Sequence, residues 1–99
     1  LKVVFAARAN AALKEIGDYI AQDRPRRAAS FVAELRTRAR QLGDMPRAFP
    51  MVPRYAQLGI RRRPYRRYLI SYRIEAERIL ILLIVHGARD YHALLTAEQ

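Results

Sequence analysis

The residues best able to do chemistry gather near one end of the chain, in the run His86-Gly87-Ala88-Arg89-Asp90-Tyr91-His92. An imidazole titrates near neutral pH, so His86 and His92 could move protons. A guanidinium such as Arg89 can stabilise phosphate charge or grip a carboxylate bidentately. The same residues also suit structural work: His86 with its ring held by a backbone hydrogen bond, and Arg89 paired with Asp90. Both readings stay open on the residues alone.

Other chemistries are excluded more firmly. Ser30 and Ser71 are the only serines, and neither has a histidine nearby in sequence. There is no Gly-x-Ser-x-Gly elbow, no glycine-rich phosphate loop and no dinucleotide-binding fingerprint. The carboxylates are scattered, which disfavours a two-carboxylate hydrolase. The chain has no Cys, so disulfides, thiolate metal sites and Cys nucleophiles fall together. Two His alone do not make a four-ligand zinc site. No cofactor and no metal are expected.

Arginine remains. The 99 residues carry 19 Lys plus Arg against 9 Asp plus Glu, a net charge of +10, and seventeen of the cations are Arg. From Arg54 to Arg73 there are seven Arg and no acid. Such a stretch is either a solvated surface or a patch for something anionic, nucleic acid or an acidic protein segment. The longest strongly apolar run, Ile79 to Val85, is seven residues, far short of the about 20 that a membrane span needs. Arg8, Asn10 and Lys14 interrupt the opening segment, unlike a signal peptide. A soluble, cytoplasmic protein is expected. Leu1 in place of Met suggests that the sequence is trimmed or starts after the true initiator.

Lys2 to Phe5 reads as a short opening strand. Ala9, Leu13, Ile16 and Ile20 recur at helical spacing and predict a helix over 8–22, without a good N-cap residue. Pro25 suits the first turn of a second helix. Its stripe is Ala28, Phe31, Val32, Leu35, Ala39 and Leu42, and Gly43 closes it. The short link between the two requires a helical hairpin. Residues 44–59, with Pro46, Pro50 and Pro53, form a long loop, possible strap residues being Phe49, Met51 and Val52. Leu58 to Arg63 is a weak strand ending at Pro64. Tyr68, Ile70, Tyr72 and Ile74 alternate with Leu69, Ser71 and Arg73 as a second meander strand. Ile79 to Val85 is continuous, as in a central strand covered on both faces. One set of its alternating residues, Ile81, Leu83 and Val85 or Leu80, Leu82 and Ile84, should face the hairpin. The prediction is an α+β fold in the order βααβββ: a helical hairpin on a small, mainly antiparallel sheet, a single domain over 1–99. The sheet's other face would present Arg and Tyr.

Five pieces, in this order, resemble the ParE branch of the ParE/RelE toxin superfamily. They are the helix Ala11-Ala12-Leu13-Lys14-Glu15-Ile16-Gly17-Asp18-Tyr19-Ile20, the opening Arg24-Pro25-Arg26-Arg27-Ala28-Ala29-Ser30-Phe31-Val32, and Arg61 before the meander. Tyr68-Leu69-Ile70-Ser71-Tyr72-Arg73 and Ile84-Val85-His86-Gly87-Ala88-Arg89-Asp90 complete them. Ala12 departs from the pattern, since many relatives carry an acid there.

The resemblance implies a toxin of a type II toxin–antitoxin pair, non-enzymatic, inhibiting DNA gyrase by protein–protein contact. It implies a hetero-oligomer with a cognate, ParD-like antitoxin, and nucleic acid contact only through that antitoxin. An acidic amphipathic antitoxin segment would meet Arg61, Arg63 and Arg73 on the sheet side and Arg36 and Arg40 on the second helix. His86 and Arg89 would also take part in partner binding. The alternative is a RelE-like ribosome-dependent mRNA endonuclease, with Arg89, Tyr91 and His92 as its catalytic set. In that branch a catalytic Arg on the middle meander strand falls at Leu69 here, Arg89 matches a second basic position, and the C-terminal Tyr position falls near Leu95. One match of three argues against efficient RNA cleavage.

Overall fold

The two apolar stripes become the buried faces of a helical hairpin. In the computed structural model, which describes residues 1–88, strand β1 (Lys2–Phe5) leads into α1 (Ala7–Ala21) and α2 (Pro25–Arg40). Ala9, Leu13 and Ile16 are buried on α1, and Ala28, Phe31, Leu35 and Ala39 on α2. Small Ala side chains at these positions let helix and sheet approach closely. No side-chain cap holds the first turn of either helix. Their stability therefore comes from packing, as is usual for helices of this length. Among the described residues no helix is long and apolar enough to cross a membrane.

Strands β2 (Arg61–Tyr65), β3 (Tyr68–Glu75) and β4 (Arg78–His86) follow. The sheet order is β1-β4-β3-β2. β1 runs parallel to β4, while β2–β3 and β3–β4 are antiparallel. This is the expected α+β arrangement, two helices on a four-stranded mixed sheet. The weak strand lies later than Leu58–Arg63: Pro53–Leu58 winds into a 3-10 helix and Gly59 turns at φ 70° before β2 begins. Pro64 lies inside β2, exposed, where an edge strand tolerates its missing N–H. The preceding loop covers that edge, with Val52 N–H donating to the Ile60 carbonyl at 2.9 Å and Met51 bridging to Arg61. Both meander turns are tight, and Arg66 and Ala76 take left-handed φ values of 54° and 52°.

The alternation expected along β4 breaks. Ser71 pairs with Leu83 and Tyr72 with Ile81, leaving Leu82 unpaired as a bulge. A bulge switches the face on which later side chains emerge. Ile79, Ile81 and Ile84 therefore all join the core under the helices, with Tyr72, Ile70, Leu35 and Leu13. Leu83 and Val85 turn to the opposite face and pack with Tyr55 and Ile60 in a second cluster, flanked by Val52, Leu69 and Leu82. Neither set expected from simple alternation faces the hairpin as a whole. The far face is also less open than expected, because the 52–60 segment covers part of it.

Candidate partner-binding surface

Arg61 and Arg63 lie opposite Tyr72 and Ile70 on β3, residues that face the helices. Their side chains are used within the chain. Arg61 Nη1 donates to the Phe49 carbonyl at 2.7 Å. Arg63 Nη1 donates to the Arg38 carbonyl at 2.9 Å and to Gln41 Oε1 at 3.1 Å, and its guanidinium lies over the Phe49 ring. A cation on the last turn of α2 also complements the helix dipole. Burial, with Arg38 nearby, pushes the Arg63 guanidinium below its usual range. With Tyr72 Oη donating to the Pro46 carbonyl at 2.8 Å, these groups fasten the loop after α2 to the sheet. Arg73 is paired with Glu75 at 2.6 Å, and Arg78 meets the same carboxylate at 3.0 Å.

Beside α2, Glu34 accepts from Arg27 and from Tyr65 Oη, the latter at 2.6 Å, with Arg66 at 3.8 Å. The Arg27 and Tyr65 hydrogen bonds outweigh desolvation and hold its carboxyl at about 2. Arg36 and Arg40 differ from the other candidates. Their guanidiniums lie over one ring, that of Phe5, at 5.6 and 5.7 Å from its centroid.

His86 closes β4. Its ring stands edge-on to Tyr68, with centroids 5.3 Å apart, and its Nδ1 accepts the Ala88 N–H at 3.1 Å. It borders a groove of about 710 Å³ between α1 and the ends of β3 and β4, lined also by Arg8, Ala12, Glu15, Tyr19 and Tyr68. Burial pushes the Tyr68 phenol up. Tyr19 is 71% exposed. Sequence periodicity gives no sign that Tyr19 and Tyr68 share a groove, because they are brought together only by the hairpin's docking on β3 and β4. Arg89, Tyr91 and His92 lie outside the described residues. The structure thus brings Arg61 and Arg63 together at the loop, Arg36 and Arg40 at Phe5, and leaves Arg73 and His86 apart from both. Among the described residues no cluster of His, Asp and Glu could hold a metal ion.

The family profile described as ParE toxin of type II toxin-antitoxin system, parDE, matches residues 3–91. The chain belongs to the ParE toxin family. Its fold is similar to that of a chain in a solved structure described as the chromosomal ParDE TA system from P. aeruginosa. The TM-score is 0.74 at 19% sequence identity, covering 87% of this chain and 95% of that one. No curated protein sequence gives a significant match.

Proposed function

We propose that this toxin blocks DNA gyrase by protein–protein contact, without catalysis, in the cytoplasm, and that a ParD-like antitoxin neutralises it. The observation that carries this reading is the setting of Leu69. In the RNA-cleaving branch that position of the middle meander strand bears a catalytic Arg. Here it bears a leucine paired with Val85 and packed on the cluster of Tyr55, Ile60 and Leu83. An apolar side chain packed in a cluster roofed by the 52–60 segment cannot supply the phosphate-stabilising charge that the catalytic Arg supplies at this position. The groove along α1 supplies what an amphipathic partner segment needs, an apolar floor with a polar rim. Of the candidate residues, His86 borders that groove, where Arg8 is the cation on the rim; Arg73, Arg36 and Arg40 lie away from it, and Arg89 lies outside the described residues. Arg61 and Arg63 act by holding the loop that shapes the surface.

The test uses two substitutions that remove chemistry while keeping most of the side-chain volume. Tyr91→Phe and His92→Gln leave growth inhibition close to that of the parent toxin. Losing a general acid or base costs about 10²–10⁴-fold in rate. A loss of toxicity on that scale in either variant, with folding and antitoxin binding preserved, contradicts the non-catalytic reading. Arg89→Ala weakens toxicity under either mechanism and serves only as a positive control.

A further inference from the structure

Arg36 and Arg40 stand one helical turn apart on α2, and both guanidiniums are seated over the Phe5 ring. Among the described residues no carboxylate pairs with either. The nearest polar partner is neutral: Asn10 Oδ1, 3.4 Å from Arg36 Nη1. Two like charges are thus seated on one ring, with no carboxylate partner among the described residues. An anion bound across them relieves that repulsion, and stacking has already restricted the side chains that must meet it.

The surroundings say which anion. The outward side of α2 exposes Ala29, Ser30, Ala33 and Thr37 between its arginines. The large apolar residues that are exposed, Leu1, Tyr19, Met51 and Leu58, all lie off this helix. An acidic amphipathic peptide would find charge here but no apolar seat. Single-stranded nucleic acid is held by bases stacking on open aromatic faces. On this side the rings carry arginines instead: Arg36 and Arg40 on Phe5, Arg38 on Tyr65, Arg27 on Phe31. Charge without apolar anchors or open rings suits a regular row of phosphates.

We propose that the α2 face centred on Arg36 and Arg40 binds the phosphate backbone of duplex DNA, without reading its sequence. This departs from the expectation that nucleic acid is met only through the antitoxin. It is independent of the gyrase proposal, since the binding needs only this chain and a duplex.

The test is fluorescence anisotropy of a short labelled duplex with the purified toxin over a range of salt concentrations. Because a chain of charge +10 attracts DNA everywhere, the comparison is between charge-matched pairs. Arg36→Gln with Arg40→Gln removes the proposed contacts. Arg54→Gln with Arg67→Gln removes two exposed charges elsewhere. Each phosphate contact contributes about 0.9 to the slope of log affinity against log salt. The α2 pair should lower that slope by about 2 and weaken binding about tenfold, while the control pair changes the slope little. Arg36→Lys with Arg40→Lys retains the charges and most of the slope, which separates lost contacts from a loosened Phe5. The proposal is overturned if both Gln pairs have the same effect. It is equally overturned if a polyglutamate peptide displaces the duplex at matched charge, or if single-stranded RNA of the same length binds more tightly than the duplex.

Discussion

Leu35→Ala should lower the stability of the domain by about 2–5 kcal/mol, read as a fall in the urea midpoint at unchanged slope. Leu35 is fully buried at the centre of the core, where α2 meets Leu13, Ile70, Tyr72, Ile81 and Ile84. Truncation removes contacts from both helices and the sheet and leaves a cavity that close-packed neighbours fill only in part. Small domains have only about 5–15 kcal/mol to lose, so this variant should also lose toxicity through unfolding. Leu82→Ala gives the contrast. Leu82 is the bulged, half-buried residue of β4, and its truncation should cost clearly less. Equal effects from the two would place Leu82 in the core and contradict the bulge.

Gly43→Ala should destabilise by about 1–3 kcal/mol, the usual range for overpacking. Gly43 sits in the 3-10 turn Gln41–Gly43 after α2. A Cβ there would lie 2.3 Å from the Leu1 carbonyl oxygen and 3.2 Å from Val3 Cγ2. The obstacle is backbone, so the start of β1 must move. The Leu1 nitrogen also donates to the Gly43 carbonyl at 2.7 Å, and that bond would be strained by the same shift. Amide hydrogen exchange should show the loss concentrated in β1. A variant as stable as the parent would show that β1 can shift without cost.

Gly43 illustrates what the sequence carries and what it withholds. Its place at the end of a helical stripe is legible, but its reason is not. It is not at a left-handed φ; it is needed because the chain's first residues pass against it. The helical hairpin and the meander are legible because each rests on local periodicity, in Ala9-Leu13-Ile16, Phe31-Leu35-Ala39 and Tyr68-Ile70-Tyr72. The bulge at Leu82 leaves no mark in an all-aliphatic run, where every residue suits either face. The second cluster is hidden for a related reason. Tyr55 and Ile60 sit in an irregular segment, and only the return of the chain over β3 and β4 gives them partners. β2 begins late because Gly59, which reads as a strand residue beside Leu58 and Ile60, instead turns the chain.

The candidate arginines show the same division. Residue type marks Arg36, Arg40, Arg61, Arg63 and Arg73 as able to meet anions. It does not say which carbonyl, carboxylate or ring each already holds. Arg61 and Arg63 alternate onto the helix side of the edge strand and meet the Phe49 and Arg38 carbonyls. Among the described residues, Arg36 and Arg40 meet the Phe5 ring, and Arg36 also the neutral Asn10 amide. That difference in partner separates arginines that hold the fold from arginines left with charge to offer.

Purified toxin added to DNA gyrase and relaxed plasmid shows whether gyrase is the target, with a parallel sample of programmed ribosomes to follow mRNA cleavage. Supercoiling stops in the first, recovers when the cognate antitoxin is added, and the ribosome-bound message stays intact. Undisturbed supercoiling together with a cut message would make the toxin a ribosome-dependent nuclease and not a gyrase inhibitor.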